Sequence, residues 1–172
     1  MKKIYLSSMM IFALSLTILT ACSGGGGGSS TPPPFQPTTA VLTLSTAVTS
    51  TIPTNTTIHG YDVTINLPAG VTVKSTTATG SAAGAAIIAA GTTGKVRIVI
   101  ANASGFSAGT FSTMNCDIAP GSYPTASDFQ QPTFNVSPNP PGGGGASGWN
   151  NNTSSTVNLT NNLSLAATAV VN

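Results

Sequence analysis

Few side chains in this sequence can do chemistry. Asp62, Asp117 and Asp128 are its only acids, there is no glutamate, and His59 is its single histidine. Hydrolysis of a glycosidic bond usually needs two placed carboxylates, and no two of these acids are neighbours in sequence. Asp62 falls on the polar side of an alternating run. Asp117 alternates against Cys116. Asp128 sits in TASDF, where capping a turn is its expected role. A Ser-His-Asp triad would have to use His59, which lies beside Gly60 and far from any G-x-S-x-G elbow; an ordinary strand-edge residue is expected there. Zinc needs several His, Cys or acidic ligands, and the chain holds too few. Calcium on Asp117 or Asp128 with backbone carbonyls is chemically open, but no acidic loop supports it. No catalytic residue and no metal ligand is therefore assigned. Trp149 is the only tryptophan, in GWNNN beside a glycine run. It could stack on a sugar or anchor a partner from a mobile loop. The preferred reading folds it back onto the domain edge. It is the one side chain singled out for ligand binding.

Charge excludes two classes of partner. Lys2 and Lys3 lie at the N-terminus, and the other cations, Lys74, Lys95 and Arg97, match the three aspartates in number. Nucleic acid demands clustered Lys and Arg, which are missing. A polybasic membrane-binding patch is missing as well. Cys116 alternates with Met114 and Ile118, so a small buried hydrophobe is expected, and no histidine or basic residue stands next to it to activate the thiol.

The elements that must position these residues read as strands. Thr, Val, Ser, Asn and Gly dominate, and good helix formers are scarce, which points to an all-β domain. Alternation predicts strands at Ala40 to Thr49, Thr57 to Leu67, Val71 to Lys74, Ala85 to Ala89, Lys95 to Ala101 and Gly109 to Ile118. Later strands are expected at Phe129 to Val136, Thr156 to Leu165 and Ala167 to Val171. In the second, Tyr61, Val63, Ile65 and Leu67 share one face and Asp62, Thr64 and Asn66 the other. Gly105 to Gly109 is read as a loop, and Pro138 to Gly148, PNPPGGGGASG, as a long flexible loop or hairpin tip. About nine short strands at this spacing predict one antiparallel β-sandwich over residues 38–172.

The N-terminus has a different organisation. Lys2 and Lys3 precede an apolar run from Ile4 to Leu19, the layout of a signal peptide and too short for a stable membrane span. It ends Leu19-Thr20-Ala21-Cys22, which resembles the lipobox of bacterial lipoproteins. That resemblance implies a signal peptide over residues 1–21 and a covalent lipid on Cys22 as the first mature residue. No other cofactor is expected. Ser23 in the second mature position, rather than Asp, implies outer-membrane sorting in a Gram-negative envelope. Residues 22–37 then form a tether, with a flexible Gly/Ser part and a stiffer part around Pro32-Pro33-Pro34. With Cys22 acylated, Cys116 has no cysteine to pair with.

IHGYDVTINLPAGVTVKS resembles the second-strand region of cohesin-type domains, and KVRIVIANASGFSAGTFSTMNCDIA resembles a later cohesin segment. The resemblance covers Ala40 to Val136, with the last strands at Thr156 to Val171. It implies a nine-stranded jelly-roll sandwich, related in shape to several carbohydrate-binding modules, that binds a protein partner through a sheet face. The chain departs from that family in its lipid anchor, its glycine loop and its single copy, and it has no dockerin-like calcium loop. The expected function is non-catalytic: an envelope-anchored module that attaches a protein partner or, alternatively, a polysaccharide.

Overall fold

In β1 (Thr39–Val48) Ala40, Leu42 and Leu44 are wholly buried, while Val41, Thr43 and Ser45 face the other way. That two-residue period decides which side of each sheet becomes core. The computed structural model describes residues 35–136 and 145–172. Cys22, the expected signal peptide and the expected tether up to residue 34 lie outside the described residues, as do residues 137–144 of the expected glycine loop.

Residues Gln36–Asn172 form one unit, the expected all-β antiparallel sandwich. Its other strands are β2 (Thr56–Asn66), β3 (Val71–Ala78), β4 (Ala86–Ala90), β5 (Lys95–Phe106), β6 (Thr110–Ile118), β7 (Thr133–Phe134), β8 (Gly145–Asn150), β9 (Ser155–Asn158) and β10 (Leu163–Val171). One sheet has the order β10-β1-β6-β3. The other runs β4-β5-β2-β8-β9, with β7 also beside β2. All pairings are antiparallel. The chain alternates between sheets from β1 to β4 and crosses again at β6, β7 and β10, so sequence neighbours face each other across the core.

Leu42, Leu44 and Met114 from the first sheet meet Val63, Ile65, Ile98 and Ile100 from the second, all buried. Tyr61 sits among aromatic rings, 5.1 Å from Phe106 and 4.7 Å from Phe111 between centroids. Its hydroxyl meets Thr46 Oγ1 at 2.8 Å, which satisfies a phenol that burial would otherwise leave unpaired. Cys116, Met114 and Ile118 all point inward, as their alternation predicts. Burial, and behind it the charge of Asp117, push the Cys116 thiol up to about 11.

Several expectations are corrected. The strand expected at Phe129 to Val136 shrinks to Thr133–Phe134, since Pro132 cannot donate to a ladder and a 3-10 turn occupies Ala126–Asp128. The strand expected at Thr156 to Leu165 breaks at a 3-10 turn over Thr160–Asn162, where the chain leaves one sheet for the other. Beyond that turn the chain runs as one long strand, β10, instead of a short terminal one. β3 runs on to Ala78, and β5 runs through Gly105 to Phe106, into the expected loop. The end of the glycine stretch, Gly145 to Gly148, is not loop. It opens β8, which pairs β2 on one side and β9 on the other. Gly145 has φ +80, and a Cβ there would stand 2.2 Å from Thr160 Oγ1; a Cβ on Gly148 would stand 2.7 Å from Leu159 Cδ1. Glycine is what lets this strand lie so close to its cover.

Candidate functional site

The outer face of the second sheet carries the candidate site. In β2, Tyr61, Val63 and Ile65 turn to the core, so Asp62 and Thr64 turn outward. Asp62 stands opposite Val99 and Thr64 opposite Arg97. Arg97 therefore reaches Asp62 diagonally across the strand pair, a geometry open to long side chains. Its Nε donates to Asp62 Oδ1 at 2.8 Å, and its Nη2 donates to Oδ2. Asn135, just past β7, donates from Nδ2 to Asp62 Oδ1 at 2.6 Å, and its own Oδ1 accepts from Thr64 Oγ1 at 2.7 Å. Burial of Asp62 pushes its carboxyl up. The hydrogen bonds from Arg97 and Asn135, with the Arg97 charge, outweigh that and hold it below the usual carboxylate range. The Asp62 side chain is 12% exposed and that of Arg97 58%, so the pair has one buried partner and one in water.

Beside this cluster the face is low. Gly60 lies between Ala101 on β5 and Ser147 on β8, and Gly145 stands next to Asp62. A Cβ on Gly60 would come within 3.0 Å of both the Ile100 carbonyl oxygen and Ser147 Oγ. These small residues floor an open depression of about 480 Å3, walled by Trp149, His59 and Asp62. A second depression, lined by Asp62, Lys95, Arg97 and Asn135, adjoins it at Asp62. The two share Asp62 on the outer face of β2 and are together called the trough below.

Trp149 belongs to this wall. It lies on β8, between Thr57 and Thr156, and is 37% exposed. It thus sits on a paired strand inside a sheet, neither on a mobile loop nor folded back onto the domain edge. His59 is likewise inside the sheet and not at its edge. It falls where the β2–β5 register shifts between Ile58 and Gly60, and it lines the same depression.

The other acids stand elsewhere. Asp117 is on the outer face of the opposite sheet, 3.6 Å from Lys74 Nζ, with both side chains more than half exposed. Asp128 caps the turn at Ala126–Asp128: Oδ2 accepts from the Thr125 backbone N–H at 2.7 Å and from Thr125 Oγ1 at 2.8 Å. That hydrogen bonding holds its carboxyl below the usual range, and the expected capping role is what it performs. Among the described residues, no three His, Cys, Asp or Glu side chains converge as a metal site would require.

Sequence reasoning singled out Trp149 and placed Asp62 on the polar face of a strand without a binding role; it missed Lys95, Arg97, Asn135 and the Gly60–Ser147 floor. Opposite charge on two outward-facing runs hinted at Asp62 with Arg97; only the register joins them. No family model, curated protein or solved structure matches the chain.

Proposed function

We propose that the protein is a non-catalytic binding module that a lipid on Cys22 holds at a bacterial cell envelope, and that its ligand is a polysaccharide lying in the trough on the second sheet. One observation carries this reading. An open groove has a half-exposed indole at one end and a fixed carboxylate, guanidinium and amide cluster further along. A sugar ring presents an apolar face for stacking and hydroxyls for such polar groups. The depression also has the volume of a small-ligand site. Its openness at the surface suits a long chain passing through rather than a molecule enclosed.

Protein attachment is the second reading, resting on the cohesin resemblance. The outer face of the first sheet favours it: Thr43, Thr113, Asn115 and Thr168 give a surface of short polar side chains, charged only at the mutually paired Lys74 and Asp117. The lipobox resemblance supports the anchor, and Ser23 supports an outer-membrane address.

Two measurements test the proposal. The Cys22→Ser chain should lose acyl mass and leave the membrane fraction; retention there with normal maturation would overturn the anchor. Envelope polysaccharides and envelope proteins should be offered in parallel to the immobilised full chain, with and without calcium. Retained polysaccharide that Trp149→Ala releases supports the trough. A captured protein that Trp149→Ala still holds moves the function to the other sheet.

A further inference from the structure

From the charge along the trough we infer that the polysaccharide is acidic, carrying carboxylate, sulfate or phosphate groups that sit between Lys95 and Arg97. This deepens the polysaccharide reading and rests on it.

Apart from Lys2 and Lys3 the chain has three cations, and two of them fall at one end of this trough. Lys95 and Arg97 are two residues apart on β5, so both project from its outer face, opposite Asn66 and Thr64. The only acid on that face is Asp62, and Arg97 with Asn135 already holds it. Arg97 uses Nε and Nη2 for that purpose, and among the described residues its Nη1 has no partner. Lys95 is exposed and makes no ion pair among the described residues. On the opposite sheet, by contrast, the one cation, Lys74, faces the one acid, Asp117.

The groove therefore ends in an uncompensated ammonium beside a guanidinium with a donor edge in water. A neutral sugar leaves the Lys95 ammonium without a counter-charge and the free edge of the guanidinium without an anionic acceptor. An anionic substituent meets the guanidinium edge and the ammonium together, the pairing each favours. Asp62 works in the same direction, because it fixes the guanidinium plane. Thr57, opposite Trp149, and Thr64, opposite Arg97, lie roughly 20 Å apart along β2 at about 3.3 Å per residue. Stacking at Trp149 and ion pairing at Arg97 would thus engage different sugars of one chain. The ligand would be a polymer with repeated charge rather than a single acidic sugar.

The test uses the fluorescence of Trp149, the sole tryptophan, in the full chain held in detergent at low salt. The probes are polygalacturonate, alginate and dextran sulfate, each beside a neutral counterpart: methyl-esterified polygalacturonate, methyl-esterified alginate and dextran. At least one acidic polymer should bind about fivefold tighter than its neutral counterpart, the effect of one close charge pair in water, and salt should erase the difference. Lys95→Ala should remove most of that preference, and Lys74→Ala, on the other sheet, should leave it intact. Equal binding of acidic and neutral partners, or a preference that survives Lys95→Ala, overturns the inference while leaving the polysaccharide reading standing. Failure of all six polymers to shift the emission overturns both.

Discussion

Asp62 shows how a single side chain serves both fold and site. Its carboxylate lies at the junction of three strands, where Arg97 arrives from β5 and Asn135 from the end of β7. The folded state holds its proton less tightly than the unfolded chain does. A carboxyl with a depressed folded value contributes stability in full above the ordinary aspartate range, near pH 4, and loses it as pH falls through the folded value. Asp62→Asn keeps the shape and one acceptor but removes the charge. At pH 7 the variant should melt a few degrees below the unsubstituted chain, a modest loss because Arg97 is largely in water. The gap should narrow as pH falls below 4, because the unsubstituted chain then protonates Asp62 and gives up the same pairing. Thermal melts of both chains from pH 7 to pH 2.5 measure this. A gap of constant size would mean that the Arg97 pairing contributes nothing and that Asp62 is held by its neutral contacts alone.

At the scale of elements, β7 and β8 belong to one interrupted strand. Phe134 lies opposite Val63, while Gly145 lies opposite Asp62, the next residue of β2. The Asn135 N–H donates to the Asp62 carbonyl at 2.9 Å, so Asn135 and Gly145 address the same residue. The sheet could continue without the segment between them. Removing residues 136–145 would join Asn135 directly to Ala146 and keep the register with β2. The shortened chain should fold with stability within about 1 kcal/mol of the original, because loop closure depends only weakly on length and the Asp62 cluster stays intact. Urea unfolding would measure it, and an unfolded product would mean that the excised residues fix the pairing of β8. This element was illegible in sequence for a physical reason. GASGWN has no apolar alternation, because of its inward positions Ala146 is small and Gly148 lies too close to Leu159 for any side chain. The break before β10 was hidden for the opposite reason: Val157, Leu159, Leu163 and Leu165 keep the same odd-numbered apolar period on both sides of the turn, with only Asn161 interrupting it. β2 and β5 were legible because each alternates apolar side chains with polar or charged ones. Of the candidate site only Trp149 stands out by type, and Asp62 reads in sequence as one polar residue of a strand face. Lys95 and Asn135 become partners of the groove only through register, which no local pattern carries.

At the scale of the whole molecule, the two sheets have unequal outer edges. β10 carries no charge or proline along its nine residues, and Val170 is 55% exposed, a profile that invites pairing with another strand. The Gln131 side chain blunts that edge. Its Oε1 accepts from the Ala167 N–H at 2.9 Å and its Nε2 donates to the Ala167 carbonyl at 3.3 Å, in place of a neighbouring peptide group. The inner side of β10 depends wholly on β1, which pairs with it from Ala40 to Val48 and with β6 on the other flank. Closure of the first sheet begins at Thr38, whose N–H donates to Asn172 and whose carbonyl accepts from Ile118. The folding unit should therefore need its chain from Gln36 onward and nothing earlier. A chain begun at Gln36 should unfold in a single cooperative transition at the same temperature as one begun at Cys22. A chain begun at Thr49 lacks β1, leaves β10 and β6 without a common neighbour, exposes Met114 and Cys116, and should be recovered aggregated. Calorimetry and size-exclusion chromatography on the three chains decide it. A lower transition for the Gln36 chain would make the preceding residues part of the fold. A soluble, cooperative Thr49 chain would mean that the second sheet folds without the first.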